Sequence, residues 1–294
     1  MRRLLLIGLL VAPFGTGTAQ TKTDLLWKNL ETSVGRIAAE FDGVMALAIR
    51  DLTDGRTFAI HGDEPMPTAS MIKIAVLAEL YRQNRVGELY TLDAADIVPG
   101  SAILGRFTPG VTRMTLRDVA TSMIGESDNS ATNVLIDRLG MEKINEMLAS
   151  LGHSKTRLRR RMMDLKAAQE GRENVASPLE TVDLLARLHR NELLPAERAQ
   201  DFFKVLATPK RSRILALLPP GARGATKTGS LDRVVVEAGV LYPDRRPFAI
   251  AVMTSFVEDV PAAERAIGEI SLIAWKHFSR LGGSSEYGRG LPAK

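Results

Sequence analysis

Ser70-Met71-Ile72-Lys73-Ile74-Ala75-Val76-Leu77 places a hydroxyl and an amine three residues apart at the head of an apolar run. The spacing predicts a helix over 71–83, and at its start Ser70 and Lys73 share one face of the first turn. A serine hydroxyl is a weak nucleophile until a neighbouring base removes its proton. Lys73 is within reach to be that base, and nearby cations would help keep its amine partly neutral. Unpaired backbone N–H groups at a helix N-terminus point at an incoming carbonyl oxygen. Ser70 is therefore the expected nucleophile of an acyl transfer.

Two further motifs supply what that chemistry needs. Ser127-Asp128-Asn129 lies between predicted helices at 116–124 and 131–139. Ser127 is placed to relay a proton between Lys73 and a leaving nitrogen. Asn129 is placed to hold Lys73 or a substrate amide, and Asp128 to cap and brace the loop. Lys227-Thr228-Gly229 falls on a predicted strand at 225–230. Lys227 offers charge and Thr228 a hydroxyl to a substrate carboxylate. Gly229 lets substrate backbone approach closely, and the Ser230 N–H is the expected second oxyanion donor.

Working outward, Val44–Arg50 and Arg56–His61 read as strands joined by the Asp54-Gly55 turn. Strands return at 234–242 and 248–255, and an amphipathic helix at 262–281 follows. The middle, about 65–206, reads as helical. Strands at both ends of a helical middle predict an α/β (α+β) fold. Its antiparallel sheet is flanked by helices and built from both termini, with an all-α lobe inserted between. The expected organisation is an α/β lobe at about 20–64 and 207–281, an α lobe at about 65–206, and a loose tail over 282–294.

Composition narrows the function classes. The chain has 294 residues, no cysteine and a net charge of +5. Arg2 and Arg3 precede an apolar run from Leu4 to Phe14 that is too short to span a bilayer and leads to small residues. That pattern predicts a signal peptide over 1–19 and an exported protein, periplasmic or secreted. No later segment is apolar enough for a membrane span. The basic run Arg157, Arg159, Arg160, Arg161 lacks interleaved aromatics, so nucleic acid is not an expected partner. His61, His153, His189 and His277 show no ligand spacing, and neither a metal nor another cofactor is expected. A monomer is expected.

At its three motifs the chain resembles the class A β-lactamase family and its penicillin-binding D,D-peptidase-like relatives. The resemblance extends to Ile124-Gly125-Glu126 and Ala131-Thr132-Asn133. It implies Ser70 as nucleophile, Lys73 as its base, and Ser127, Asn129, Lys227 and Thr228 as the supporting set. The expected substrates are a β-lactam or a peptidoglycan peptide of the D-Ala-D-Ala type.

The sequence departs from that family where a Glu, followed by Leu-Asn, positions the deacylating water. Aligned from Thr156-Arg157-Leu158, the Glu falls on Met162, the Leu on Leu165 and the Asn on Lys166. Glu170 and Asn174 have the right mutual spacing but lie late in the segment, and Asp164 is two positions off. Arg160 and Glu173 are placed to pair and close the loop. Arg233 and Arg223 are the nearest candidates for a carboxylate-binding arginine. The implied behaviour is acylation followed by slow release. The alternatives are an efficient β-lactamase with another base, or a non-catalytic peptidoglycan-binding protein.

Overall fold

A computed structural model describes residues 21–292; the signal-peptide reading of 1–19 lies outside the described residues. Helix α1 (Lys22–Glu40) starts at a reciprocal capping box. The Thr21 hydroxyl accepts from the Asp24 N–H, and the Asp24 carboxylate accepts from the Thr21 N–H. Strands β1 (Val44–Asp51) and β2 (Thr57–Ile60) follow, turning at Gly55 with φ +82°. The short β3 (Met66–Pro67) leads to a 3₁₀ turn, Ala69–Ile72, which runs into α2 (Lys73–Arg82). Ser70 thus sits in a tight turn ahead of the helix proper.

The helical lobe continues through the ribbon β4 (Leu89–Thr91) and β5 (Arg113–Thr115). Next come α3 (Leu116–Gly125), α4 (Asn129–Leu139), α5 (Met141–Ser150) and α6 (Leu165–Gln169). Strand β6 (Val175–Ala176) pairs back onto β3. Then α7 (Pro178–His189), α8 (Ala196–Leu206) and the single turn α9 (Arg213–Ala216) return the chain to the sheet. It closes with β7 (Gly224–Leu231), β8 (Val234–Leu241), β9 (Phe248–Ser255) and α10 (Val260–Gly282).

The five-stranded sheet has the order β2-β1-β9-β8-β7 and is antiparallel throughout. It is built from both ends of the chain, as the strand pattern predicts. Alternate side chains separate two cores. Met45, Leu47, Ile49, Ile250 and Val252 face α1 and α10, joining Trp27, Leu30, Ile267, Ile270 and Phe278. Ala46, Ala48, Ala249 and Ala251 face the helical lobe. Their small side chains let α7 lie directly on β1 and β9.

Trp27 ties the two terminal helices together. Its ring is fully buried and meets His277 and Phe278 edge-on, with centroids 4.9 and 5.8 Å away. The Arg56 guanidinium stacks 4.6 Å above it. Trp27→Ala is expected to cost about 3–5 kcal/mol of stability, read as a lowered urea midpoint. A loss under about 1 kcal/mol would show that α1 contributes little to the sheet's cover.

Candidate active site

The turn bearing Ser70 is held against two strands. Thr68 donates from its N–H and hydroxyl to the Asn174 carbonyl at 2.9 and 3.0 Å. Ala69 adopts φ +46°, a left-handed conformation that costs a non-glycine residue about 1–3 kcal/mol. On its other side the turn abuts β7. A Cβ on Gly229 would lie 2.7 Å from the Thr68 carbonyl oxygen and 3.0 Å from the Ala69 Cβ. Glycine is needed here because protein backbone comes close, a reason additional to the expected clearance for substrate.

Lys73 is fully buried, and its Nζ donates to the Ser127 carbonyl at 2.6 Å, the Ser127 Oγ at 3.0 Å and the Asn129 Oδ1 at 3.2 Å. The amine thus reaches both Ser127, placed to exchange a proton with it, and Asn129, placed to hold it. Burial, then the Lys227 charge, push the Lys73 pKa well below the ordinary lysine value, with Asp128 opposing.

Lys227 is also buried and donates to the Ser127 Oγ at 3.1 Å and the Thr228 carbonyl at 2.9 Å. Burial, then the Lys210 charge, lower its pKa to about 7, while Glu237 opposes. Two lysines therefore converge on one hydroxyl. With both donating to its lone pairs, Ser127 keeps its own proton to give. Its backbone is left-handed, φ +57°.

Asp128 braces this loop, as its residue type suggests. Its buried carboxylate accepts from the N–H groups of Ile103 at 2.7 Å, Leu104 at 2.9 Å and Ala131 at 2.9 Å. Asn129 also donates from Nδ2 to the Pro99 carbonyl at 3.1 Å, which fixes the 97–107 loop beside the cleft. Of that loop's apolar residues, Leu104 is core and Phe107 is exposed.

The arginine beside Lys227-Thr228-Gly229 is one that sequence reasoning missed. Arg213 donates from Nη2 to the Ser230 Oγ at 2.7 Å and pairs through Nε with Glu264 at 3.0 Å. Arg233 sits at the β7–β8 turn, paired with Glu258 at 2.9 Å, and Arg223 precedes the far end of β7. Arg213 stands 14 positions before Lys227, with no local pattern to mark it.

In the 156–177 segment, Asn133 clamps Met162 at both backbone atoms. Its Oδ1 accepts from the Met162 N–H at 2.8 Å, and its Nδ2 donates to the Met162 carbonyl at 3.1 Å. Met162 is buried, whereas Leu165 and Lys166 are exposed. Glu170 is exposed and paired with Arg172 at 2.5 Å. Asn174 is consumed by the backbone of Arg159 and Arg160. Asp164 caps α6 through the Ala167 N–H at 2.9 Å. Arg160 and Glu173 pair at 2.8 Å, closing the loop. Among the described residues no group of three or more His, Cys, Asp or Glu converges as a metal site.

A two-ended antiparallel sheet, an inserted helical lobe and, beside the Ser70 turn, a Lys73–Ser127–Lys227 cluster at their junction define a serine hydrolase of the β-lactamase type. A family profile described as "Beta-lactamase enzyme family" matches residues 29–278, and the chain belongs to the class A β-lactamase family. A β-lactamase of Streptomyces fradiae is 32% identical over 233 residues, covering 74% of this chain and 76% of that one. The crystal structure of a β-lactamase from Sphaerobacter thermophilus is 30% identical at TM-score 0.76, covering 85% of this chain and 97% of that one. A protein called PBP-A is 25% identical at TM-score 0.77, covering 85% and 96%. A leucine-to-glutamate variant of PBP-A has been solved as an acyl-enzyme with penicillin G.

The buried lysines set a pH dependence of stability. Lys227, with a folded pKa near 7 against an ordinary value of 10.5, binds fewer protons folded than unfolded between those limits. Lys210, lowered to about 8 chiefly by burial, acts in the same direction. Stability therefore rises with pH across this window. The urea midpoint is expected to increase from pH 7 to 9.5, and Lys227→Met is expected to flatten that rise. A midpoint that falls with pH would contradict the lysine assignment.

Proposed function

We propose that Ser70 attacks the carbonyl of a β-lactam or a D-Ala-D-Ala-type cell-wall peptide and that the acyl-enzyme is released slowly. In this reading Lys73, biased toward its neutral form, takes the Ser70 proton. Ser127 passes a proton to the leaving nitrogen. The N–H groups of Ser70 and Ser230 receive the oxyanion. Asn129 holds the substrate amide, while Lys227, Thr228 and Arg213 receive its carboxylate.

The observation that carries the slow release is the Asn133 clamp. It fixes on the loop, behind α4, a residue whose side chain is a thioether. Met162 cannot deprotonate water, and loss of a general base typically costs about 10²- to 10⁴-fold. The nearby carboxylates and amide are engaged elsewhere: Glu170 with Arg172, Asp164 at the α6 cap, Asn174 with backbone. The similarity to PBP-A, in which a leucine-to-glutamate variant was captured as a penicillin G acyl-enzyme, supports acylation on this framework.

The same reading makes the protein an exported monomer, periplasmic or secreted, cleaved after about residue 19. Its catalytic domain spans 20–281, divided as the strand pattern suggests. Among the described residues no helix is long and apolar enough to cross a membrane. The relatives described as β-lactamases favour a second reading, efficient β-lactam hydrolysis with another base.

Intact-protein mass spectrometry after addition of benzylpenicillin separates these readings. A persistent adduct mapping to Ser70 is expected. A transient adduct with continuing loss of drug would establish the working β-lactamase, and no adduct would leave a peptidoglycan-binding protein. Met162→Glu is expected to shorten the adduct's lifetime about 10²-fold; an unchanged lifetime would place the deacylation defect elsewhere.

A further inference from the structure

We infer that Glu237 is the positioning residue that fixes the Arg213 guanidinium at the mouth of the cleft as the receptor for the substrate carboxylate. This rests on the acyl-transfer reading above and adds a residue to it.

Glu237 lies on β8, directly across from Thr228, and its side chain is fully buried. Among the described residues it forms no ion pair. Instead its Oε1 accepts from the Ser212 hydroxyl at 2.5 Å, and its Oε2 accepts from the N–H groups of Arg213 at 2.7 Å and Ile214 at 3.1 Å. A buried carboxylate without a paired cation is costly, and an apolar residue of similar size would ordinarily serve a sheet core better. Ser212, the N-cap of α9, takes only the Leu215 N–H, at 3.1 Å, and the carboxylate completes the cap by taking the first two N–H groups of the turn. A cap supplied from β8 ties the backbone at Arg213 itself to the strand.

From that anchored backbone the Arg213 side chain runs across to β7. Its Nε is held by Glu264 and its Nη2 by the Ser230 Oγ. Backbone, Nε and Nη2 are each tethered, so the guanidinium stands beside Ser230 with N–H donors to spare. A donor fork held in place before binding loses less freedom when it captures a carboxylate.

The test compares acylation rate constants for benzylpenicillin and for its methyl ester, whose carboxylate is blocked. Glu237→Gln is expected to slow acylation by benzylpenicillin about tenfold, the size of one lost charge-assisted contact. It is expected to slow the ester less than about twofold. Arg213→Ala should show the same bias, and the double variant should be no slower than Arg213→Ala alone, because both act through one contact. Glu237→Asp keeps the charge while drawing it back from the Arg213 N–H, and should give a smaller loss with the same bias. It also serves should Glu237→Gln not fold. Equal losses on acid and ester, or additive losses in the double variant, would overturn the inference and leave Glu237 a structural residue. Failure of the unaltered enzyme to acylate at all would instead remove the reading beneath it.

Discussion

Two lysine side chains that share one serine hydroxyl form the constraint on which the rest of the structure turns. Lys73 and Lys227 come from a helix of one lobe and a strand of the other, and they meet on the Ser127 Oγ. Burying two like charges this close is unfavourable unless each is well solvated by the protein or sheds its proton. Carbonyls of Ser127 and Thr228 and the Asn129 amide oxygen accept hydrogen bonds from the amines, and burial lowers the pKa of both lysines. The Ser127 loop can present those acceptors only in its left-handed conformation. That conformation is held from behind by the fully satisfied Asp128 carboxylate.

The same logic extends to the sheet. Edge strand β7 must lie close enough to the Ser70 turn for Lys227 to cross the cleft, and only a residue without a Cβ permits that at Gly229. Behind it, β8 presents Glu237, which holds the Arg213 turn against the strand's outer face. Function in this cleft is therefore a property of packing between lobes.

How much of this the sequence discloses depends on the range of the interaction. Ser70 and Lys73 are three residues apart on a helix start, and Asp128 is a capping type before a helical run; both signals are local and legible. The sheet is legible too, because strand-like runs stand at both ends of a helical middle. Arg213 was not, because what makes it a site residue is contact with Ser230 on a strand 17 residues later and with a glutamate on α10. A close neighbour of Gly229 is the Ser70 turn, more than 150 positions away, so this second reason for glycine was not legible in the sequence. Lys73 meets Ser127 and Asn129 from more than 50 positions away, through three acceptors that only the folded loop brings together.

The placement of β1 between β2 and β9 has a consequence for how the molecule is made. Val44–Asp51 pairs along its whole length with Phe248–Ser255, some 200 residues later. Until that distant segment has been synthesised, β1 has one open edge and a face of Met45, Leu47 and Ile49 with no β9 beside it. Contacts this far apart in sequence form late, since the loop between them must close before they reward it. A nascent chain is thus held from completing its sheet until almost all of it exists, and during that interval its exposed strand edge is open to mispairing.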